Sequence, residues 1–582
     1  MSKDRVIPVE KSTDLPTITI KSDGSEISKE YQVVSVTVEK EVNRIPKTQI
    51  ILLDGDTAKE DFELSNKDLF IPGKEIEILA GYHSDESVIF KGIIINHSIK
   101  AKKNKSSYLR INCRDKAIKM TVGKQNKYFY DSKDSDIISE IIKPYGMETD
   151  IESTDVDHKE MVQFYSTDWD FIVSRAEANG KLVFVNDGKI TVKAPDTSTD
   201  PVLSLVYGSS MLDFEAEMDA RYQLTSVKSS SWDYSTQEVI EEEGQDPSIT
   251  EPGNINSSNL TNVISLDEFN QKHSGKVTDQ ELKAWANSKL LKSKLAKIRG
   301  RVMSQGYGKI SPGDMLELNG VGERFNGKNF ISAVRHQINL QNWETDIQFG
   351  LSPEWFSKSN DILDTPAAGL LPAVQGLQIG VVTQLANDPD GEDRVLVKMP
   401  LVDPNENGVW ARVSTLDAGE NRGSFFRPEI GDEVVLGFLN EDPREPIILG
   451  MLNSSAKPAP ITASASNPEK GFITRSKMKL LFDDEKKIVT VETPGGNKVI
   501  LTDDEGAIKL EDQNGNKITM DSNGITMESA ADVSIKASGN LTVEGINIEI
   551  KAKGQFKAEG SAGAEVTSSA IATLKGSLVQ IN

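Results

Sequence analysis

Apolar and polar side chains alternate with a period of two along most of this chain, which predicts strands wherever turn residues bound the runs. In residues 15 to about 122 the runs are Thr17 to Ile20, Tyr31 to Val38, Glu75 to Leu79 and Leu109 to Cys113, broken at Asp54-Gly55 and Pro72-Gly73. Short strands punctuated in this way predict a barrel or sandwich. Around 134–181 the period becomes helical. Asp136 to Ile142 carries paired apolar positions, and Asp168 to Gly180 opens on acids and ends on a glycine stop. Trp169, Ile172 and Ala176 share one face of that helix. Arg175 and Glu177 are candidates for contacts between subunits, weighed against an ordinary amphipathic helix without chemistry.

Residues 228–262 are polar and acidic and predict a mobile surface loop. Thr278-Asp279-Gln280-Glu281 reads as a capping box opening a helix with Leu282, Trp285, Leu291, Leu295 and Ile298, closed by Gly300. Strand patterns resume from Gly306 to Phe349, and Asp364 to Pro372 reads as a linker. Five short strands then fall within 376–453, at Gln378 to Thr383, Arg394 to Met399, Val409 to Val413, Asp432 to Phe438 and Pro446 to Gly450. They predict a small OB-like barrel. Ser454 to Ser466 reads as a second linker.

Beyond it the strands become very short and evenly spaced. Ile518 and Met520, Ile525 and Met527, Val533 and Ile535, Leu541 and Val543, then Ile546, Ile548 and Ile550 alternate with polar neighbours, and glycine-bearing turns separate them. Such a repeat is the mark of a β-solenoid. From Gly471 onward the only aromatic residues are Phe472, Phe482 and Phe556, so each strand has little area to bury alone. Two packings are open: one chain coiling on itself, or three chains intertwining with each supplying one strand in three. Greater length and closed lateral edges favour the second.

The formal net charge of −23 opposes nucleic-acid binding, which needs Lys and Arg to neutralise phosphates. Trp410, Phe425, Phe426 and Phe438 of the barrel are surrounded by acids, and Trp410 is expected in its core. The single cysteine, Cys113, excludes an internal disulfide and reads as a buried thiol. His83, His97, His158, His273 and His336 show no ligand spacing, so no metal or cofactor is expected. Acid pairs such as Asp503-Asp504 and Glu441-Asp442 are expected as solvated turns rather than as a catalytic pair. No nucleophile motif occurs, and no catalytic residue is assigned. Met1 to Pro8 lacks the apolar core of a signal peptide, which predicts synthesis in the cytoplasm.

Three segments together resemble the VgrG-type spike and phage tail hub proteins. Asp168 to Ile172 with Arg175 to Gly180 is similar to their helix signature. Gly380 to Val382, Arg394 to Val397, Val409 to Val413, Gly423, Pro428 to Val435 and Glu441 to Gly450 are similar to their OB domain. Gly306 to His336, with Pro312-Gly313-Asp314 and Phe325-Asn326-Gly327, is similar to their second hub barrel. Val42 to Lys47 and Phe70 to Ile78 look closest to spikes of extracellular phage-tail-like injection systems, with type VI secretion spikes beside them.

The resemblance implies a mainly β homotrimer. After an N-terminal tail (1–14), a hub would occupy 15–365, with β-barrels at about 15–122 and 200–350, a helical insert at 123–199 and the acidic loop at 228–262. A linker (366–375), an OB-fold domain (376–453), a second linker (454–470) and an intertwined triple-stranded β-helix needle (471–582) would follow. The needle's axis would be packed by Ile518, Met520, Ile525, Met527, Val533, Ile535, Leu541, Val543, Ile546, Ile548 and Ile550. The implied role is structural: a contractile injection system's central spike, capping the inner tube, adapting sixfold tube to threefold needle and puncturing a target membrane. Implied partners are the inner tube ring, baseplate proteins, effector cargo and a PAAR-type tip protein docked on Leu578, Val579, Gln580, Ile581 and Asn582. The stretch from Met451 to Lys470 is too short for the lysozyme domain of some phage relatives. A glycan-degrading trimeric tailspike or a solenoid adhesin is the alternative.

Overall fold

The computed structural model describes residues 15–103, 105–233, 235–358 and 366–581. They form two compact units, the first ending at Val374 and the second beginning at Gln375, with Asn440–Asp442 belonging to the first.

The first unit is organised by one 13-stranded sheet. Its N-terminal strands include Thr17–Ser22, Val33–Glu41, Lys47–Leu53, Glu75–Tyr82, Asp85–Lys102 and Lys105–Arg114; its C-terminal strands include Met211–Met218, Ile298–Gln305, Gly327–Asn339 and Trp343–Phe349. The two sets join where Gly327–Asn339 pairs antiparallel with Val33–Glu41, His336 standing opposite Val38. Each set has its own core. Ile50, Ile78, Phe90, Leu109 and Ile111 fill the first, and Cys113 is buried among them; Leu205, Val302, Leu316, Ile331 and Ile347 fill the second. Burial pushes the Cys113 thiol up to about 12.

Helices α1 (Asp134–Ile142) and α2 (Asp168–Ala178) lie where the period changes. Trp169, Ile172 and Ala176 of α2 are buried against Ile137, Ile138 and Ile141 of α1. Thr167 caps α2 by accepting from Asp170 N, and Gly180 at φ +68° lets the chain leave it.

The acidic stretch differs from expectation. Val227–Asp233 and Glu238–Glu243 form a hairpin, and α3 (Ser257–Ile264) follows. The hairpin packs on α4 (Asp279–Leu295). After Val227 its first strand buries serines and Asp233 in place of apolar residues, and Ser229 donates to Gln271 Oε1 at 3.0 Å. This polar strand gives no apolar alternation to read. Helix α4 is capped by Thr278, as its capping box predicts, but it ends at Leu295. Ile298 and Gly300 lie in the strand Ile298–Gln305. Gly300 is there because a Cβ would stand 2.3 Å from the Glu215 carbonyl oxygen. It marks a close strand approach, not a helix stop.

In the second unit Gln378–Gln384, Val395–Lys398, Val409–Val413, Pro446–Met451 and Glu433–Phe438 close into a five-stranded barrel. Val382, Val395, Val397, Ala411, Val434, Leu436 and Ile448 fill it. Trp410 is not among them. Strand parity turns Val409, Ala411 and Val413 inward and leaves Trp410 half-buried on the other face. A seven-stranded antiparallel meander then runs from Glu469–Ile473 to Gly524–Glu528, each strand five residues long. From Ser529 to Ile581 no described residue belongs to a strand.

Candidate assembly interface

The meander's register sorts its side chains into two unlike faces. Two positions per strand point to the first face, and pairing carries them from strand to strand. Phe472 stands opposite Leu480, Leu480 opposite Val491, Val491 opposite Val499, Val499 opposite Leu510, Leu510 opposite Ile518, and Ile518 opposite Met527. A parallel row runs Lys470, Phe482, Val489, Leu501, Ile508, Met520, Ile525. Lys470 is the one residue of the two rows that is not apolar. Four predicted axis residues, Ile518, Met520, Ile525 and Met527, are therefore brought together here.

Little in the single chain covers this face. Leu480, Val489 and Ile518 are half-buried; the other apolar members are exposed, up to 71% for Ile525. The remaining predicted axis residues, Val533, Ile535, Leu541, Val543, Ile546, Ile548 and Ile550, lie beyond the last strand and are all exposed, as are Leu578, Val579 and Ile581. Gln580 is exposed too. Asn582 lies outside the described residues. Contiguous exposed apolar surface is a common mark of an interaction site.

The opposite face carries a charge ladder that the apolar pattern does not reveal. Lys479, Glu492, Lys498, Glu511, Lys517 and Glu528 follow one another across six strands with alternating sign. Lys479 Nζ lies 3.1 Å from Glu492 Oε2, and Lys498 Nζ lies 3.6 Å from Glu492 Oε1. The hydrogen bond from Lys479 is the main cause that lowers the Glu492 pKa. The signal for this row is present in the sequence as Lys and Glu at matching offsets on either side of the turns.

The meander also meets the barrel. Phe426 stacks on Phe472 with ring centroids 5.3 Å apart, and Arg475 Nη1 lies 2.9 Å from Glu429 Oε2.

In the first unit Arg175 and Glu177 are bound within their own chain. Arg175 donates to both Asp134 oxygens, from Nε at 2.7 Å and Nη2 at 2.9 Å, and from Nη2 to Glu281 Oε1 at 3.0 Å. His158 Nε2 and Asn179 Nδ2 reach Asp134 Oδ2 at 2.9 and 2.8 Å. Burial works against a charged Asp134, but His158, Arg175 and Asn179 hold its carboxyl well below the usual carboxylate range. Glu177 accepts from Lys292 Nζ and from Phe356 N. These groups tie α1, α2, α4 and the strand Asp157–Ser166 together.

His336 is buried and pushed down to about 3, first by burial and then by Lys40. Among the described residues no group of three His, Cys, Asp or Glu side chains is placed to hold a metal. Asp503 and Asp504 lie in an exposed turn, but Asp442 is buried, against expectation.

Residues 12–339 match the family model described as the Alg8 N-terminal domain. Residues 378–452 match the type VI secretion system/phage-baseplate injector OB domain, and 487–582 the phage baseplate V C-terminal trimerisation domain. The type VI secretion system spike protein VgrG1b of Pseudomonas aeruginosa is 28% identical over 216 residues, 34% of this chain and 28% of that protein. VgrG1a of the same organism is 35% identical over 113 residues, 18% of each. The chain thus spans less than a third of either relative. A tail protein from Neisseria meningitidis superposes with a TM-score of 0.44 at 13% identity, over 59% of this chain and 98% of that one, and no argument rests on it. The Alg8 match alone covers more than half the chain, and the injector OB and trimerisation matches follow it in order: the chain belongs to the Alg8 N-terminal-domain family, and its later segments are similar to those of VgrG spike proteins.

Proposed function

We propose that three copies of this chain form the central spike of a contractile injection system, with a mechanical and not a catalytic role. The observation that carries this is the apolar face of the meander, left open in one chain, with its last five strands inside the segment that matches a trimerisation domain. Three such faces turned toward a common axis cover one another and leave the Lys/Glu ladders in solvent.

The stretch after Glu528 supports the same reading. Its backbone donors and acceptors form no strand within the chain, and its apolar pairs are exposed. Three copies intertwining there, each supplying one strand in three, satisfy both deficits at once. Such a shaft is stiff along its axis because its strands are hydrogen-bonded and its interior is dry. The first unit, with its tandem strand sets, would sit on the inner tube ring and within the baseplate. Leu578, Val579, Gln580, Ile581 and Asn582 would be the docking place of a PAAR-type tip protein. Sheath contraction would then drive the spike into a target membrane, with any effector cargo carried along. The resulting particle is extracellular or is delivered on firing, and phage-tail-like extracellular systems are the favoured owner over type VI secretion.

The test is assembly of the injection particle with and without this chain. Particles lacking it should show no central density below the tube and should not permeabilise target membranes. Complete, active particles formed in its absence would overturn the proposal.

A further inference from the structure

Between Glu86 and Asp115 the chain carries seven Lys and Arg and no Asp or Glu, in a protein whose formal net charge is −23. Four of the seven, Lys100, Lys102, Lys103 and Lys105, fall close together and are exposed. They sit at the end of the hairpin made by Asp85–Lys102 and Lys105–Arg114. That end stands clear of its sheet. Glu75–Tyr82 pairs with the first strand only as far as Ile93, and Lys47–Leu53 pairs with the second only as far as Tyr108. Past those points the two strands have only each other.

The tip is arranged against its own charge. Lys102 stands directly opposite Lys105, and like charges so placed destabilise a strand pair. None of the four lysines has a salt bridge or a side-chain hydrogen bond among the described residues. The acidic loop 54–68 lies beside the hairpin, with Asp54 N donating to Ser107 O, but it uses its carboxylates internally. Asp54 accepts from Leu64 N and Ser65 N, Asp61 accepts from Phe62 N and Asn66 Nδ2, and Glu63 pairs with Lys67.

We propose that this lysine tip is a docking point for an acidic surface on another protein of the injection particle, whose carboxylates lie against the four ammonium groups. This rests on the spike reading above and adds a partner chemistry to it. Opposite charges across the contact steer the approach and fix its register. Carboxylates at the tip also relieve the repulsion between Lys102 and Lys105.

The rung below supplies apolar contact. Lys100, Tyr108 and Leu53 stand side by side there, and Leu53 is exposed. A charged rim beside an apolar patch is the composition of a protein contact. A nucleic acid would find no aromatic side chain from Ile99 to Ser107 on which to stack its bases. A lipid surface would find Ala101, Ser106 and Ser107 among the lysines, with no large apolar side chain to insert.

The experiment treats assembled particles with a carbodiimide that joins amines directly to carboxylates, and reads the products by mass spectrometry. Links from Lys100, Lys102, Lys103 or Lys105 to Asp or Glu of a different protein are expected. A full-length chain carrying Lys100→Glu, Lys102→Glu, Lys103→Glu and Lys105→Glu should melt as the unaltered chain does. It should nevertheless enter particles about tenfold less well at about 150 mM salt. Phosphatidylserine vesicles and duplex DNA, offered to the free chain, should leave acetylation of the four lysines unchanged. The proposal is overturned by an absence of such links in particles that contain the chain, by links only to further copies of it, by undiminished entry of the charge-reversed chain, or by protection from vesicles or DNA. Particles that never contain the chain would overturn the spike reading instead.

Discussion

Arg175 grips Asp134 with two parallel hydrogen bonds, at 2.7 and 2.9 Å, in a setting where the aspartate side chain is 1% exposed and the arginine 17%. The pair joins α2 to the start of α1, and Glu281 at the start of α4 closes on the same guanidinium. Removing one partner leaves a buried charge uncompensated. Arg175→Ala should therefore cost the first unit about 3–5 kcal/mol, read as a fall in the denaturant midpoint of its transition. A change below about 1 kcal/mol would show that the network is not a support of the fold.

The same pair sets an acid limit. The Asp134 pKa is lowered in the folded chain, so its contribution is fully present above the unfolded value near about 3.9. It is lost as pH falls from there through the lower folded value. The stability of the first unit should hold on descending to about pH 4 and drop below it. Asp134→Asn should start less stable and show a flatter acid profile. Equal acid profiles for the two chains would contradict this.

Thr278 accepts from the Glu281 backbone N–H at 3.3 Å and starts the longest helix among the described residues. Thr278→Ala should destabilise by about 1 kcal/mol, and Thr278→Ser should restore most of it. Thermal unfolding of the first unit measures both.

Gly300 faces the Glu215 carbonyl oxygen across the pairing of Ile298–Gln305 with Met211–Met218. Gly300→Ala forces the two strands apart at the sheet edge. The expected cost is about 1–3 kcal/mol, with faster amide exchange confined to Met211–Met218. Unchanged exchange there would refute the close-approach explanation.

Charge reversal tests the ladder. Lys498→Glu puts like charges at neighbouring rungs with Glu492 and Glu511 and should destabilise the meander by about 0.2–1 kcal/mol per pair. Reversing the rest of the row as well, with Lys479→Glu, Glu492→Lys, Glu511→Lys, Lys517→Glu and Glu528→Lys, should recover it. Failure of the fully reversed row to recover would mean that the row sets no register.

Much of this architecture was legible because alternation is a local signal. The barrel strands fall where Gln378, Val395, Val409, Glu433 and Pro446 begin, and α2 and the start of α4 follow their caps. What the chain pattern hides is non-local or polar. Nothing near Val38 announces its pairing with His336, which joins two expected strand sets in one sheet. The strand Val227–Asp233 buries serines held by side-chain hydrogen bonds, so its polarity imitates a loop. Arg175 and Glu177 read as surface charges because their partners Asp134 and Lys292 are distant in sequence. Trp410 shows that residue type without strand parity misplaces a side chain. Ile518, Met520, Ile525 and Met527 were legible as one apolar set, whereas their earlier partners on the same face, from Phe472 to Leu510, emerge only from register.

The central claim is that this chain works as a trimer joined through its C-terminal segment, and its mass in solution tests that most directly. Light scattering of the purified chain should give one species near three times 63.8 kDa, persisting on dilution to micromolar concentration. A single species near 63.8 kDa would contradict the account, because the apolar face and the shaft would then have no partner.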